Sequence, residues 1–324
     1  MKRLRGWFVL AALMVALPLV FPGSYYVSVV GVQVGLHAIL AVGLNLLMGY
    51  AGQISLGHAA FFGIGAYSSA ILTTRYGWNP WPALGAGLLF TALVAYVMAR
   101  PVLRLKGHYL AMATLGLGII VHILLVQTGA LTGGPDGIGN IPPLKLFGWA
   151  IDTDQRWYWL VAVVLLGVVL LALNLIDSRT GRALRALHGS EVAAEMMGVD
   201  TSLAKTRVFV LAAMSASLAG SLFAHQQAFV SPDSCNFFFS IELVTMVVLG
   251  GMASTYGALL GALVLTLLPE VLVVFEDYEV LIFGGILMLI MIFLPQGLAG
   301  GMRDLALWLR GRGARRPGVG HGAA

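Results

Sequence analysis

Long apolar segments separated by short polar connections run along most of the chain. Residues 6 to 74, for example, contain no Asp, Glu, Lys or Arg. A helix that crosses about 30 Å of hydrocarbon needs roughly 20 apolar residues, because its backbone polar groups must be satisfied within the segment. Segments of this kind lie near residues 7–22, 27–47, 54–73, 82–99, 108–128, 157–176, 207–225, 239–254, 257–275 and 280–295. The pattern predicts an all-α, polytopic transmembrane helical bundle with about ten spans, some of them short or re-entrant.

The uncharged stretch from Leu243 to Pro269 is too long for one ordinary span and too short for two full ones. One span there would place the arginine-rich C-terminal end on the side opposite the other basic connections. Two short elements, or a span and a re-entrant segment, place it on the same side. We therefore predict two elements joined at residues 250–257, where glycine and serine interrupt the apolar run.

The amino-acid composition of the chain is typical of a protein surrounded by membrane lipid. Hydrophobic residues make up 59% of the 324 residues and charged residues 10%, whereas a soluble domain has about 25% charged residues. The single cysteine, Cys235, excludes an internal disulfide framework. The net charge of +5 is better explained by basic loops on the cytoplasmic side than by nucleic-acid binding.

Basic residues cluster on alternate connections. With the N-terminus in the cytoplasm, all of the 19 Lys and Arg residues fall on the inner side except Arg75, Lys145 and Arg156. The acidic cluster Glu276, Asp277 and Glu279 falls on the outer side. The positive-inside rule therefore predicts that both termini are cytoplasmic. The first segment also fits a signal peptide after the basic residues 2–5, and either interpretation leaves the orientation unchanged.

Polar residues inside apolar segments are costly and draw attention to the first glycine-rich joint, residues 49–57. Asn45, Gln53, Ser55 and His58 lie around this joint, and Gly250 and Gly251 begin a similar joint later in the chain. These six residues are our candidates for a position near a transport pathway, as at the interrupted helices of transporters. The similarity between the joints reflects either an internal repeat or chance. No acid accompanies Ser55 and His58, and no GxSxG turn is present, which argues against a hydrolase.

The connection at residues 177–206 contains a second candidate site. Ser190 has the side chain to cap a short helix, Glu191 stands in its first turn, and Gly198 has the character of a helix stop. Small alanines and adaptable methionines along this helix suit docking into a groove of a partner protein. An ordinary solvated connecting helix remains the alternative from these residues alone.

Three sequence blocks resemble the membrane permease subunits of ABC importers for branched-chain amino acids. They are Gly43–Tyr67, Phe229–Asp233 and Val247–Met252, and the resemblance runs from about residue 30 to 298. Two further blocks, Arg104–Tyr109 and Leu131–Asp136, look like the longer, M-type permease of these systems. The resemblance implies a single transmembrane permease domain over residues 1–302, with an extracytoplasmic loop at about 129–156, a cytoplasmic coupling loop at about 177–206 and a basic cytoplasmic tail at 303–324.

The resemblance also implies how the cytoplasmic loop works. In this superfamily a Glu-Ala-Ala motif, followed by three variable residues and Gly, docks onto the ATP-binding subunit. Ala193, Ala194 and Gly198 match that spacing here, whereas the glutamates stand at 191 and 195 and Val192 occupies the usual acidic position. The expected ATPase-coupling helix therefore comprises Glu191, Ala193, Ala194, Glu195 and Gly198.

The expected partners follow from the same resemblance. They are a shorter H-type permease, two cytoplasmic ATPases and an extracytoplasmic amino-acid-binding protein, in the inner membrane of a bacterium. The chain has no GxxxxGK[ST] loop and no HExxH motif, so it is not expected to be an enzyme, and ATP and Mg would bind on the partner subunits. We expect the chain to be surrounded by membrane lipid and not to bind nucleic acid.

Two alternatives remain open at the level of sequence. An importer for urea, amides, a sugar or another small solute would share the same architecture. A stand-alone secondary transporter or channel would instead use His37, His122, Glu242 or Glu270 as a proton or ion relay. The competing interpretation of these four residues is packing between helices for the histidines and a position near the outer interface for the glutamates.

Overall fold

The computed structural model describes residues 2–21, 23–105, 107–146, 149–273, 279–294 and 296–309. The predicted acidic residues 276 and 277 and most of the basic tail therefore lie outside the described residues. Helices dominate the first half of the chain. They are α1 (Lys2–Val20), α2 (Gly31–Asn45) with π-helical turns at Tyr26–Val30 and Leu46–Tyr50, α3 (His58–Thr74), α4 (Pro80–Val102), α5 (His108–Gln127) and the short α6 (Gly129–Thr132).

The second half is also helical. It contains α7 (Asp154–Asp177), α8 (Arg179–Gly189), α9 (Glu191–Met196), α10 (Thr201–Gln227), α11 (Phe237–Gly250), α12 (Thr255–Leu272), α13 (Glu279–Phe293) and α14 (Gly297–Leu309). Each of the ten predicted segments coincides with a helix. The predicted interruption after Gly250 is present, since α11 ends there and α12 begins at Thr255.

Seven helices within the described residues are long and apolar enough to cross a membrane. They are Tyr26–Tyr50, Pro80–Val102, His108–Gln127, Asp154–Asp177, Thr201–Gln227, Pro232–Gly250 and Thr255–Leu272. Shorter apolar helices occur at Arg5–Val20 and Leu281–Ile290. The chain is therefore a multi-pass, all-α membrane protein.

Close helix packing at small residues organises the bundle. A Cβ atom at Gly35 of α2 would overlap the Val161 side chain of α7, and one at Gly220 of α10 would overlap the Phe62 carbonyl of α3. The Ser221 hydroxyl of α10 donates a hydrogen bond to the Gly65 carbonyl of α3 at 2.9 Å. Packing of this kind lets membrane helices approach closely without a hydrophobic driving force. Helix α10 thus lies in direct backbone contact with α3.

The connection between α5 and α7 is ordered by glycine turns and short strands. Gly133, Gly134 and Gly137 have φ values of +78°, +66° and +73°, which end helical structure at this point. Strand β1 (Ile138–Gly139) then pairs antiparallel with β4 (Phe229–Val230), and β2 (Lys145–Leu146) pairs with β3 (Trp149–Ala150). The 131–136 and 229–233 blocks are thereby brought together on one side of the bundle.

Candidate functional site

The two glycine-rich joints lie against each other. The first joint, residues 49–57, links the end of the π turn after α2 to the start of α3, and the second joint, residues 250–257, links the end of α11 to the start of α12. The side-chain oxygen of Asn45 accepts a hydrogen bond of 3.0 Å from the backbone N–H of Ala253. A Cβ atom at Gly49 would overlap the same N–H. The two joints, which the sequence predicts to lie near a transport pathway, are therefore in direct contact with each other.

Three polar side chains in or beside the first joint are almost fully buried. Asn45, Ser55 and His58 are each at most 1% exposed. The Ser55 hydroxyl lies 3.4 Å from His58 Nδ1. Within the described residues, His58 Nε2 and Gln53 Oε1 are buried and have no hydrogen-bond partner. Unsatisfied buried polar atoms are costly, so these two side chains are candidates for contact with a polar group from outside the chain.

Helices α5 and α11 hold the first joint from two sides. The Leu56 N–H donates to the Thr114 hydroxyl of α5 at 3.0 Å, and the Ala59 N–H donates to the Ser240 hydroxyl of α11 at 3.2 Å. Both donors are backbone groups around the start of α3, which has no side-chain cap of its own. Any rearrangement of α3 at this end must therefore either break these two hydrogen bonds or move α5 and α11 together with α3.

A cavity of about 420 Å³ lies where the two joints meet the 177–206 connection. Gly49 and Tyr50 line it from the first-joint side, Ala253 and Ser254 from the second joint, and Arg185 and His188 from α8. A Cβ atom at Gly52, where φ is +67°, would lie 2.8 Å from His188 Nδ1. Helix α8 was not predicted as a separate element, and its contact with the first joint had no sequence signal.

A short helix, α9, forms at the position of the expected coupling helix. The Ser190 hydroxyl accepts a hydrogen bond from the Ala193 N–H at 3.3 Å, and Gly198, with φ of +78°, follows the last turn. Ala194 is only 3% exposed, while Ala193 is exposed. The predicted cap and stop of this helix are therefore confirmed.

Both glutamates of α9 bind groups at the start of α10. Lys205 Nζ lies 2.5 Å from the Glu191 carboxylate, and its side chain is 3% exposed. The Thr201 hydroxyl donates to the Glu195 carboxylate at 2.7 Å. These two contacts fasten α9 to the first turns of α10. Lys205 was missed as a site residue because only its charge, and not its partner, is visible in the sequence.

The surface that α9 presents outward is apolar. Val192, Met196 and Met197 are 66%, 85% and 84% exposed. Because the carboxylates of Glu191 and Glu195 are already used within the chain, apolar contact is the chemistry this surface offers. Exposed methionines adapt their shape readily to a partner. The outward surface of α9 is therefore apolar and adaptable in shape.

Three histidines outside the joints form hydrogen bonds between elements. His37 Nδ1 lies 2.8 Å from the Thr266 hydroxyl, and His122 Nδ1 lies 3.2 Å from the Pro232 carbonyl. His225 bridges the Ser69 hydroxyl and the Pro142 carbonyl. This is the arrangement of packing residues rather than of a continuous relay. Among the described residues, no group of three His, Cys, Asp or Glu side chains has the arrangement of a metal site.

Comparison with known proteins gives one consistent result. A family described as the branched-chain amino acid transport system permease component matches residues 26–292. The high-affinity branched-chain amino acid transport system permease protein LivM of Salmonella typhimurium is 36% identical over 314 residues, which cover 90% of this chain and 74% of that protein. LivM of Escherichia coli is 37% identical over 286 residues, or 81% of this chain and 67% of that protein.

A second permease type matches more weakly. LivH of Salmonella typhimurium is 25% identical over 290 residues, which cover 83% of this chain and 93% of that protein. No solved structure matches the chain. The family match spans most of the helical bundle, including both joints and α9, and its members are transport permeases rather than enzymes. The chain therefore belongs to the family of branched-chain amino acid transport system permease components.

Proposed function

We propose that this chain is the M-type permease subunit of an ABC importer and forms part of the pathway for leucine, isoleucine and valine. The family match supports the substrate class, and the greater identity to LivM than to LivH supports the M type. The observation that supports an ATP-driven mechanism is the arrangement of side chains on α9. Its carboxylates bind groups of α10, whereas its apolar side chains are exposed.

The proposed partners supply what this chain lacks. An H-type permease completes the pathway, two cytoplasmic ATPases bind ATP and Mg, and an extracytoplasmic binding protein delivers the substrate. In the proposed topology the chain crosses the bacterial inner membrane about ten times, with both termini in the cytoplasm. The positive-inside distribution of Lys and Arg supports this orientation. The 177–206 connection then faces the ATPases.

The contacts within the chain suggest how closure of the ATPases reaches the pathway. A push on α9 passes to α10 through the Glu191–Lys205 pair. Helix α10 packs directly against α3 at Gly220 and Gly65, and α3 begins at the first joint. Movement of α10 therefore carries α3, whose start adjoins the first joint. The Asn45–Ala253 hydrogen bond, at the end of α2, links this region to the second joint. A rigid-body shift of packed helices of this kind is a common basis for alternating access.

A pull-down combined with uptake tests the proposal. The tagged chain is purified from the membranes of its own bacterium, its partners are identified, and the complex is placed in liposomes with labelled leucine or labelled urea. We expect co-purification of a second permease and two ATPases, and leucine uptake that requires ATP. Uptake by the chain without any ATPase would show a secondary transporter or channel instead. Uptake of urea and not leucine would overturn the substrate class.

A further inference from the structure

Helix α11 has one face buried in the bundle and an opposite face that is exposed or half-buried. Ser240, Leu243, Met246 and Val247 are buried against the rest of the chain. The opposite stripe is formed by Phe238, Ile241, Glu242 and Thr245, which recur at the spacing of one helix face. Phe238 and Ile241 are 74% and 40% exposed, and Glu242 is partly buried. We call these four residues the α11 stripe.

Glu242 makes the α11 stripe unsuitable for lipid. It lies five residues into α11, about 7.5 Å along the helix axis from Phe237. It forms no hydrogen bond or ion pair with any described residue. An intramembrane carboxylate is costly in hydrocarbon and almost always faces a partner group or a water-filled cavity. The exposed face of α4, which includes Leu89, Phe90 and Leu93, is apolar as expected for lipid contact.

The chemistry of the α11 stripe fits one end of a branched-chain amino acid. Such a substrate carries a primary ammonium beside an aliphatic side chain. Building on the proposed function, we infer that Glu242 accepts the substrate ammonium in the translocation pathway, with Phe238 and Ile241 in contact with the aliphatic side chain. A carboxylate hydrogen bonded to an ammonium is among the stronger polar contacts available at such a position.

In the proposed topology the α11 stripe lies near the extracytoplasmic end of the pathway. Residues 232–235 precede α11 and follow β4, which pairs with β1 of the 129–156 loop. In the proposed topology this is the extracytoplasmic side. Glu242 then lies about one and a half helical turns below the surface on which a binding protein would release its substrate. It is placed to receive the substrate before the joints are reached.

Cysteine labelling tests whether the stripe faces water. Cys235 is the only cysteine of this chain, so Cys235→Ala removes its background thiol, and labelling in the full importer is read on this chain after the subunits are separated. In that background, Glu242→Cys should react with a membrane-impermeant sulfonate thiol reagent at least about tenfold faster than Leu93→Cys, whose native side chain is 60% exposed on α4. Leucine-loaded binding protein together with ATP should slow the reaction. Reaction of Glu242→Cys no faster than Leu93→Cys overturns the inference.

Uptake tests the role of the carboxylate. Glu242→Gln should lower ATP-driven leucine uptake by roughly tenfold or more, as expected for loss of a hydrogen bond to a charged group, and Glu242→Asp should retain more of it. Glu270→Gln, an exposed position two residues before the end of α12, serves as the control. Co-purification of the partners confirms assembly of each variant. Wild-type uptake by Glu242→Gln overturns the inference. If the importer takes up another solute and not leucine, the proposed function is overturned, while the labelling result still shows whether the α11 stripe faces water.

Discussion

The side-chain oxygen of Asn45, at the end of α2, accepts a hydrogen bond of 3.0 Å from the backbone N–H of Ala253 in the second joint. The two residues are 208 positions apart, and the bond fixes one interrupted helix to another inside the bundle. Ala253 has φ of +59°, a strained conformation for a residue with a side chain. The hydrogen bond and the packing of Gly49 hold the backbone there.

Replacement of Asn45 should weaken the contact between the joints. Asn45→Ala removes the acceptor of the part-buried hydrogen bond from the Ala253 N–H, at a cost of about 1 kcal/mol. We expect a lower midpoint of thermal unfolding in detergent and slower leucine uptake. Asn174→Ala is the matched control, because Asn174 is an exposed residue of α7. Equal unfolding midpoints for the two variants would contradict the structural role of Asn45.

A side chain at Gly49 should separate the joints. The Cβ atom of Gly49→Ala would overlap the Ala253 N–H and the Asn45 side-chain oxygen, so the backbone of one joint must shift. We expect strongly reduced uptake with normal membrane insertion. Gly116→Ala serves as the control, since a Cβ atom there meets nothing within 4 Å and alanine favours a helix. Comparable uptake by both variants would show that the joints tolerate separation.

Sequence reasoning succeeded where local chemistry decides the structure. Each of the ten segments predicted from hydropathy coincides with a helix, and the helix preferences of Ser190 and Gly198 placed both ends of α9. It did not reveal the contact of Gly52 with His188, because that contact depends on how α8 folds back beneath the first joint. The Asn45–Ala253 bond was missed for the same reason, although both joints were identified from their glycines.

The partner of Glu191 was equally invisible. Spacing within one helix predicts pairs three or four positions apart, whereas Glu191 and Lys205 are 14 positions apart on two different helices. The resemblance to the coupling motif directed attention to the acidic residues as docking groups. The structure instead places both carboxylates against α10, so the exposed apolar side chains of Val192, Met196 and Met197 are the groups left for docking.

Neutralising Lys205 should disconnect α9 from α10. Lys205→Met removes the ammonium paired with Glu191 in a largely buried site, which costs about 3 kcal/mol when one partner of such a pair is lost. We expect ATP hydrolysis to continue while the leucine imported per ATP falls. Arg207→Met, a loss of the same charge at an exposed position of the same helix, should retain normal coupling. Adding Glu191→Gln to Lys205→Met should recover part of the lost stability.

The end of α9 should depend on its glycine. Gly198 has φ of +78°, and a Cβ atom there meets no other group, so Gly198→Glu is penalised by backbone strain of about 1–2 kcal/mol. We expect lost uptake with unchanged insertion into the membrane. Gly189→Glu, where a Cβ atom also meets nothing within 4 Å and φ is not positive, is the control. Normal uptake by Gly198→Glu would exclude a coupling role for this turn.

Charge on the exposed surface of α9 should prevent docking without disturbing the fold. Met196 and Met197 are 85% and 84% exposed, so Met196→Glu and Met197→Glu leave the bundle intact. If α9 inserts into an apolar groove of an ATPase, burying an unpaired carboxylate there is strongly unfavourable, and co-purification of the ATPases should be lost. Leu203→Glu, at a 42% exposed position of α10, controls for added charge near the same surface. If each of the two methionine variants retains the ATPases, the partner binds elsewhere, because an apolar groove would tolerate neither of the added carboxylates.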